Sequence, residues 1–169
     1  MSTDTISTFE QSLSGLADSV HRTTADAFSE TLAELIETPA VGVSLPYEGV
    51  SLEKTAVELD PSPDAILTAA TGVTPVGMGI ATYGTLTVRS RAAGDELVSL
   101  YADRHMAVVA ASDVVSDMDT AFDRLADEFD DGMTTQVFAT GPSATGDLGG
   151  LIQGVHGPEG VDVIVLEDR

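Results

Sequence analysis

Cysteine is absent from all 169 residues. The chain can therefore form no disulfide, thiolate-ligated zinc site or Cys-held iron–sulfur cluster, and it offers no thiol nucleophile. Tryptophan is missing too, and the aromatics amount to five Phe and three Tyr. With hydrophobic residues at 43%, mostly Ala and Val, disorder is excluded by composition and a core of small branched side chains is expected. Lysine is nearly missing: Lys54 stands alone beside six Arg, against 28 Asp and Glu, for a net charge of -21. No cluster of cations exists to grip phosphates, which argues against nucleic acid and anionic membranes. No apolar run approaches the roughly 20 residues that span a bilayer. Met1–Asp4 shows neither a basic n-region nor an apolar h-region, so a cytoplasmic location is expected.

Such acidity has two explanations: a partner with a strong positive field, or a salt-rich cytoplasm. A dedicated acidic surface shows up as a block of like charge. Here the acids are scattered through every segment, as Asp26, Glu58, Asp95, Asp117 and Asp127 illustrate. Molar salt shortens the Debye length to about 3 Å and screens self-repulsion. The composition thus points to a halophilic, salt-adapted proteome.

The length suits one domain, 1–169, of class α/β. Ile6, Phe9, Leu13 and Leu16 predict an amphipathic helix over 5–17, and Ser19–Thr23 a short strand. A second helix is expected over 25–37, burying Phe28, Leu32, Leu35 and Ile36, so 1–38 reads as mainly helical. Residues 40–63 read as loops and short strands. From Gly77, two strands joined at Tyr83-Gly84 form a hairpin pattern. His105–Ala111 reads as a buried strand, and Ser116 as the cap of a helix reaching Phe129, with Asp117 and Asp119 in its first turn. Two more strands are expected over 135–140 and 161–167. The alternation implies a single layered domain whose mixed, largely parallel sheet is flanked by helices.

Three segments could carry chemistry. Gly141-Pro142-Ser143-Ala144-Thr145-Gly146-Asp147 follows a strand, where glycines and hydroxyls can aim backbone N–H groups at an anion. The bland reading is a turn in which Ser143 or Thr145 caps a helix. It is not a P-loop, because the Gly-Lys-Thr/Ser element is missing. In Gly154-Val155-His156-Gly157-Pro158 the imidazole titrates near neutrality and could act as acid, base or anion partner, or simply sit in a loop. Ser143 and His156 are the only catalytic candidates, both weak. A Ser143–Asp147–His156 triad is disfavoured, since triads are set by geometry and Thr145 stands where a nucleophile elbow needs Gly. The third segment is the turn Gly84 with Thr85; Gly77, Gly79 and Gly84 miss the dinucleotide spacing and suit close backbone packing. His105, opening an apolar strand, reads as a core histidine. Three His and no Cys leave no His-based metal site in view, although acids are abundant enough for carboxylate-only magnesium binding to stay open.

Taken in order, these segments resemble a known family. Gly-Ile-Ala-x-x-Gly-Thr (79–85), His105 before a hydrophobic strand, Gly-Pro-Ser-x-Thr-x-Asp (141–147), Gly-Val-His-Gly-Pro (154–158) and a terminal Val/Ile/Leu strand look like the LUD domain of the lactate-utilization protein C family. The likeness is best over 70–169 and only general in the first 60 residues. It implies a fold related to the ribose-5-phosphate isomerase and CoA-transferase group, and a role beside two iron–sulfur proteins in oxidising L-lactate to pyruvate. The Gly-rich loops themselves make Gly84, Thr85, Gly141, Pro142, Ser143, Thr145, Asp147, His156 and Gly157 the candidate ligand contacts. The chain departs from the family pattern at Thr82 (acidic), Ala144 (Arg), Gly149 (Glu) and Glu159 (Arg). Losing two cations weakens an anion site, unless Arg89, Arg91 or Arg104 compensates.

Three functions follow. The first is an accessory, non-redox component of lactate oxidation that binds no cofactor itself and relies on iron–sulfur partners. The second is an enzyme or sensor for a small carboxylate, phosphate or CoA-type anion held by the Gly-rich loops. The third is an interaction or oligomerisation module with a degenerate site.

Overall fold

A computed structural model describes residues 3–141 and 157–169. The first helix, α1 (Thr3–Leu13), stops earlier than its periodicity suggests, because Ser14 and Gly15 (φ +87°) turn the chain before Leu16. Next come β1 (Ser19–Thr23) and α2 (Phe28–Leu35), which buries Phe28 and Leu32. The stretch expected to hold loops and short strands contains β2 (Ala40–Gly42) and β3 (Val57–Leu59). Then follow α3 (Pro63–Leu67), β4 (Thr71–Pro75), β5 (Met78–Ile80) and β6 (Thr85–Arg89). The second half supplies α4 (Asp95–Tyr101), β7 (Arg104–Ala110), β8 (Val114–Val115), α5 (Met118–Asp130), β9 (Gln136–Ala139) and β10 (Gly160–Leu166).

The largely parallel sheet flanked by helices is present as expected, and among the described residues a second, smaller sheet accompanies it. The main sheet has six parallel strands in the order β1-β10-β7-β4-β2-β3. The mixed character belongs to a four-stranded sheet, β8-β5-β6-β9, in which β6 runs antiparallel to both neighbours. Beyond Pro75, the Val76 N–H still bonds the Val108 carbonyl at 2.8 Å, and the Gly77 N–H turns to Thr87 at 2.8 Å. There the hairpin leaves one sheet and starts the other.

Strand alternation then decides what packs where. Val73, Met106, Val108, Ile164 and Leu166 share one face of the main sheet and meet Phe28 and Leu32 of α2. Ala107, Val109, Val163 and Val165 share the other, under Ile6, Phe9 and Leu13 of α1 and Leu86 of the small sheet. Gly79 faces α1, where an added Cβ would lie 2.9 Å from the Phe9 ring. The small sheet turns Met78 and Ile80 the other way, against Ala121 and Leu125 of α5.

Two local details differ from expectation. Helix α5 is capped by Asp117 rather than Ser116: the Thr120 N–H donates to its carboxylate at 2.9 Å, and the Ser116 hydroxyl donates to it at 2.8 Å. That amide bond, more than anything else, holds the Asp117 carboxyl below its ordinary pKa. Helix α3 carries a start signal that the sequence reading passed over: Ser62 accepts from the Ala65 N–H at 3.2 Å, and Pro63 opens the helix.

Candidate functional site

The hairpin turn and the first glycine-rich segment meet. Gly84 sits at φ +62°, and a Cβ there would lie 2.9 Å from the Ser12 carbonyl, so only glycine lets the turn lie against the end of α1. Thr85 follows, buried, with its hydroxyl 2.7 Å from that of Thr140 just past β9. One residue on, Gly141 (φ +70°) packs so closely on Leu16 that a Cβ would fall 2.7 Å from its Cδ2. Gly84, Thr85, Thr140 and Gly141 therefore gather around the α1–β1 connection. Gly157 lies just before β10, where Glu159 donates its N–H to the Asp103 carbonyl at 2.7 Å. Pro142, Ser143, Thr145, Asp147 and His156, with the departures at Ala144 and Gly149, lie outside the described residues.

This geometry changes the physical reading of the glycine-rich segment. It leaves β9, a strand of the small sheet paired antiparallel to β6, and starts beside Leu16, three residues before β1 begins at Ser19. The rule that ligands sit beyond the carboxyl ends of parallel strands does not cover such a loop.

A Ser, a His and an Asp do meet, but they are not the three the sequence offered. The Ser19 hydroxyl donates to Asp162 at 2.5 Å and lies 2.9 Å from His21 Nε2. Arg104 donates to the other oxygen of Asp162 at 2.6 Å. In this chain the serine is the central member, whereas a triad needs the imidazole between hydroxyl and carboxylate. The arrangement ties the starts of β1, β10 and β7 together. The side chains are far apart in sequence, and no spacing signal announced the group.

None of the three compensating arginines reaches the Gly84–Gly141 turn cluster, and all are paired elsewhere. Arg104 holds Asp162 and lies 3.6 Å from Asp18, Arg89 holds Glu128 at 2.6 Å, and Arg91 holds Asp95 at 2.5 Å. Arg22, Arg124 and Arg169 also have carboxylate partners, so every arginine of this acidic chain is in an ion pair. His105 is the core histidine expected. It is fully buried, its Nε2 lies 2.8 Å from the Thr74 hydroxyl, and burial pushes its pKa down to about 4. Tyr47, which the sequence did not single out, donates to the carbonyls of Val108 at 3.0 Å and Val76 at 3.3 Å. Its burial raises the phenol pKa, so it acts as a neutral clasp over the ends of β4 and β7. Among the described residues no group of three or more His, Asp or Glu is placed to hold a metal ion, and no helix is long and apolar enough to cross a membrane.

Comparison with known proteins agrees with this architecture. A crystal structure of a DUF162 family protein from Deinococcus radiodurans superposes with a TM-score of 0.78 over 99% of both chains, at 22% identity, a likeness of fold. No curated protein matches the chain. The model of the LUD domain matches residues 15–166, so the likeness extends well into the amino-terminal part that had seemed similar only in style. Matched over nearly its whole length, the chain belongs to the LUD domain family, which is associated with lactate utilization.

Proposed function

We propose that this protein is an accessory, non-redox component of L-lactate oxidation to pyruvate, working in the cytoplasm beside iron–sulfur proteins. One observation carries the reading: a LUD domain match over 15–166 in a chain without a single Cys. Iron–sulfur clusters are held by Cys thiolates, so electron transfer through clusters would fall to partners. The domain's contribution would be made where Gly84, Thr85, Thr140 and Gly141 converge, next in sequence to the segment carrying Ser143, Thr145, Asp147 and His156.

The test is a native pull-down of the tagged full-length protein from lactate-grown cells, kept in high salt throughout. Cys-rich iron–sulfur proteins are expected to co-purify. Recovery of the protein alone, with those partners verified as expressed, would contradict the reading.

A second reading, an enzyme or sensor for a small anion at the Gly-rich loops, is favoured by the convergence of the turn and Gly141. Against it stand Ala144 and Glu159, which remove two of the family's cations, with no arginine replacing them at the turn. Titration with inorganic phosphate, acetate and CoA separates the two. Saturable binding abolished by Thr85→Val would favour the sensor, and silence would favour the accessory role.

A further inference from the structure

Among the described residues the two sheets end in four edge strands, and three of them are blunted. Strand β1 carries His21 and Arg22, β3 has only three residues with Glu58 at its middle, and β8 has only two. Charge and shortness are what keep sheet edges from pairing with other chains. The fourth edge, β9, lacks the charge: no charged side chain occurs from 132 to 141, in a chain with 28 Asp and Glu. From this contrast we infer that two copies of the chain pair through β9, as an antiparallel dimer about a two-fold axis.

The backbone is set for that pairing. The Ser90 N–H bonds the Thr135 carbonyl at 3.4 Å, so the antiparallel alternation aims Thr135, Val137 and Ala139 at β6. It turns the N–H and C=O of Gln136 and Phe138 outward, where no partner meets them among the described residues. A two-fold axis at Val137 sets Gln136 of each copy opposite Phe138 of the other. Both outward residues then exchange hydrogen bonds, and the small sheets of the two copies become one.

Side chains add an apolar flank. Of the five Phe, Phe9 and Phe28 are fully buried, whereas Phe122, Phe129 and Phe138 are 60%, 45% and 39% exposed. Phe138 stands opposite Thr87, which stands opposite Met78, so its ring rises on the face that α5 covers. Phe122 and Phe129 lie two turns apart on one side of α5, with Ala126 exposed between them. The other side of that helix is taken by Arg124 and Glu128, in ion pairs with Asp113 and Arg89. All three exposed Phe thus belong to the α5 side of the small sheet, where large apolar groups left in water mark an interaction surface.

Charge selects the occupant. A cationic partner is drawn to the acids, which this strip does not have. A second copy, itself at -21, can approach closely only where neither copy shows charge, and β9 is such a place. The dimer is separate from the proposed role in lactate oxidation, and it holds or fails whatever the pull-down returns.

The test is sedimentation of the full chain in molar KCl over a range of concentrations, where twice the chain mass is expected. Phe138→Lys puts a charge on the edge while lowering the net negative charge, so added overall repulsion cannot explain its effect. It should weaken the dimer about tenfold or more with circular dichroism unchanged. Val137→Cys gives the chain a single thiol on the proposed axis. Unbonded antiparallel partners lie about 4.5 Å apart at Cα, within disulfide reach, so oxidation should link two copies there. The same oxidation of Glu53→Cys, at an exposed position between β2 and β3, should leave single chains. A monomer at every concentration, an undiminished dimer in folded Phe138→Lys, or cross-linking no faster at 137 than at 53 would overturn the inference.

Discussion

The two sheets of this molecule solve the same problem with opposite means. In the main sheet the central strands β10 and β7 are apolar on both faces, since helices cover both, and Val163, Ile164, Val165 and Leu166 have no exposed surface. The small sheet is lopsided. One side packs Leu86 into the core, whereas the other, under α5, mixes Met78 and Ile80 with a polar row: Thr85 with Thr140, Thr87, then Arg89 with Gln136. Along that row the Gly84–Gly141 cluster lies at one end and the Arg89–Glu128 ion pair at the other. A sheet buried on both faces serves as scaffold. The small sheet, also covered on both faces, keeps polar groups beneath α5, and the Gly84–Gly141 cluster lies at the end of that row.

The comparison can be broken most severely with salt, which acts on the whole molecule. Dialysis from molar KCl to low ionic strength should unfold or loosen the domain as screening of the -21 charge is lost. Circular dichroism and melting curves unchanged across that range would refute the halophilic reading.

Matched truncations separate the sheets next. Ile164→Ala, at the fully buried centre of the main sheet, should cost about 2–5 kcal/mol in chemical denaturation. Phe138→Ala, on edge strand β9 with 39% of its surface exposed, should cost under about 1 kcal/mol. Equal losses would mean that the small sheet is as structural as the large one.

The buried histidine gives the main sheet a pH signature. His105 titrates at about 4 when folded and near 6.5 when unfolded, so the unfolded chain binds the extra proton between those values. Its contribution is therefore complete above pH 6.5 and lost as pH falls towards 4, of the order of 3 kcal/mol in all. Denaturation of wild type and His105→Gln at pH 7 and pH 5 should show a shallower pH slope in the variant; identical slopes would remove His105 as the cause.

A more local effect is expected at the seam between α1 and the hairpin. Gly84→Ala must take a positive φ against the Ser12 backbone and should lose about 1–3 kcal/mol. A variant as stable as wild type would show that the turn is free to move away from α1.

Much of the fold was legible because strand signals are local. Ser19–Thr23 matches β1, His105–Ala111 matches β7 to within a residue, and the glycine at the hairpin falls where two β-branched runs meet. The missed elements α3, β4 and α4 are short: β4 reads Thr-Gly-Val-Thr-Pro, whose glycine and proline masked a fully buried strand. Its Gly72 is there because a Cβ would lie 2.5 Å from the Val98 carbonyl of α4, a tertiary reason that no local window contains. The division into two sheets was hidden for the same cause, since strand pairing is a non-local choice. At the sites, Gly84, Thr85 and Gly141 were readable from motif order, and the structure brings them together. Arg124 and Glu128 stand four apart on α5, a spacing that brings the two side chains together on one helix face. Nothing in the sequence placed Arg89 against Glu128 or Ser19 against Asp162.

The most direct test of the central functional claim is growth after deletion of the gene. The account predicts loss of growth on L-lactate, unimpaired growth on pyruvate, and rescue by the wild-type chain. Unimpaired growth on lactate without the gene would contradict it.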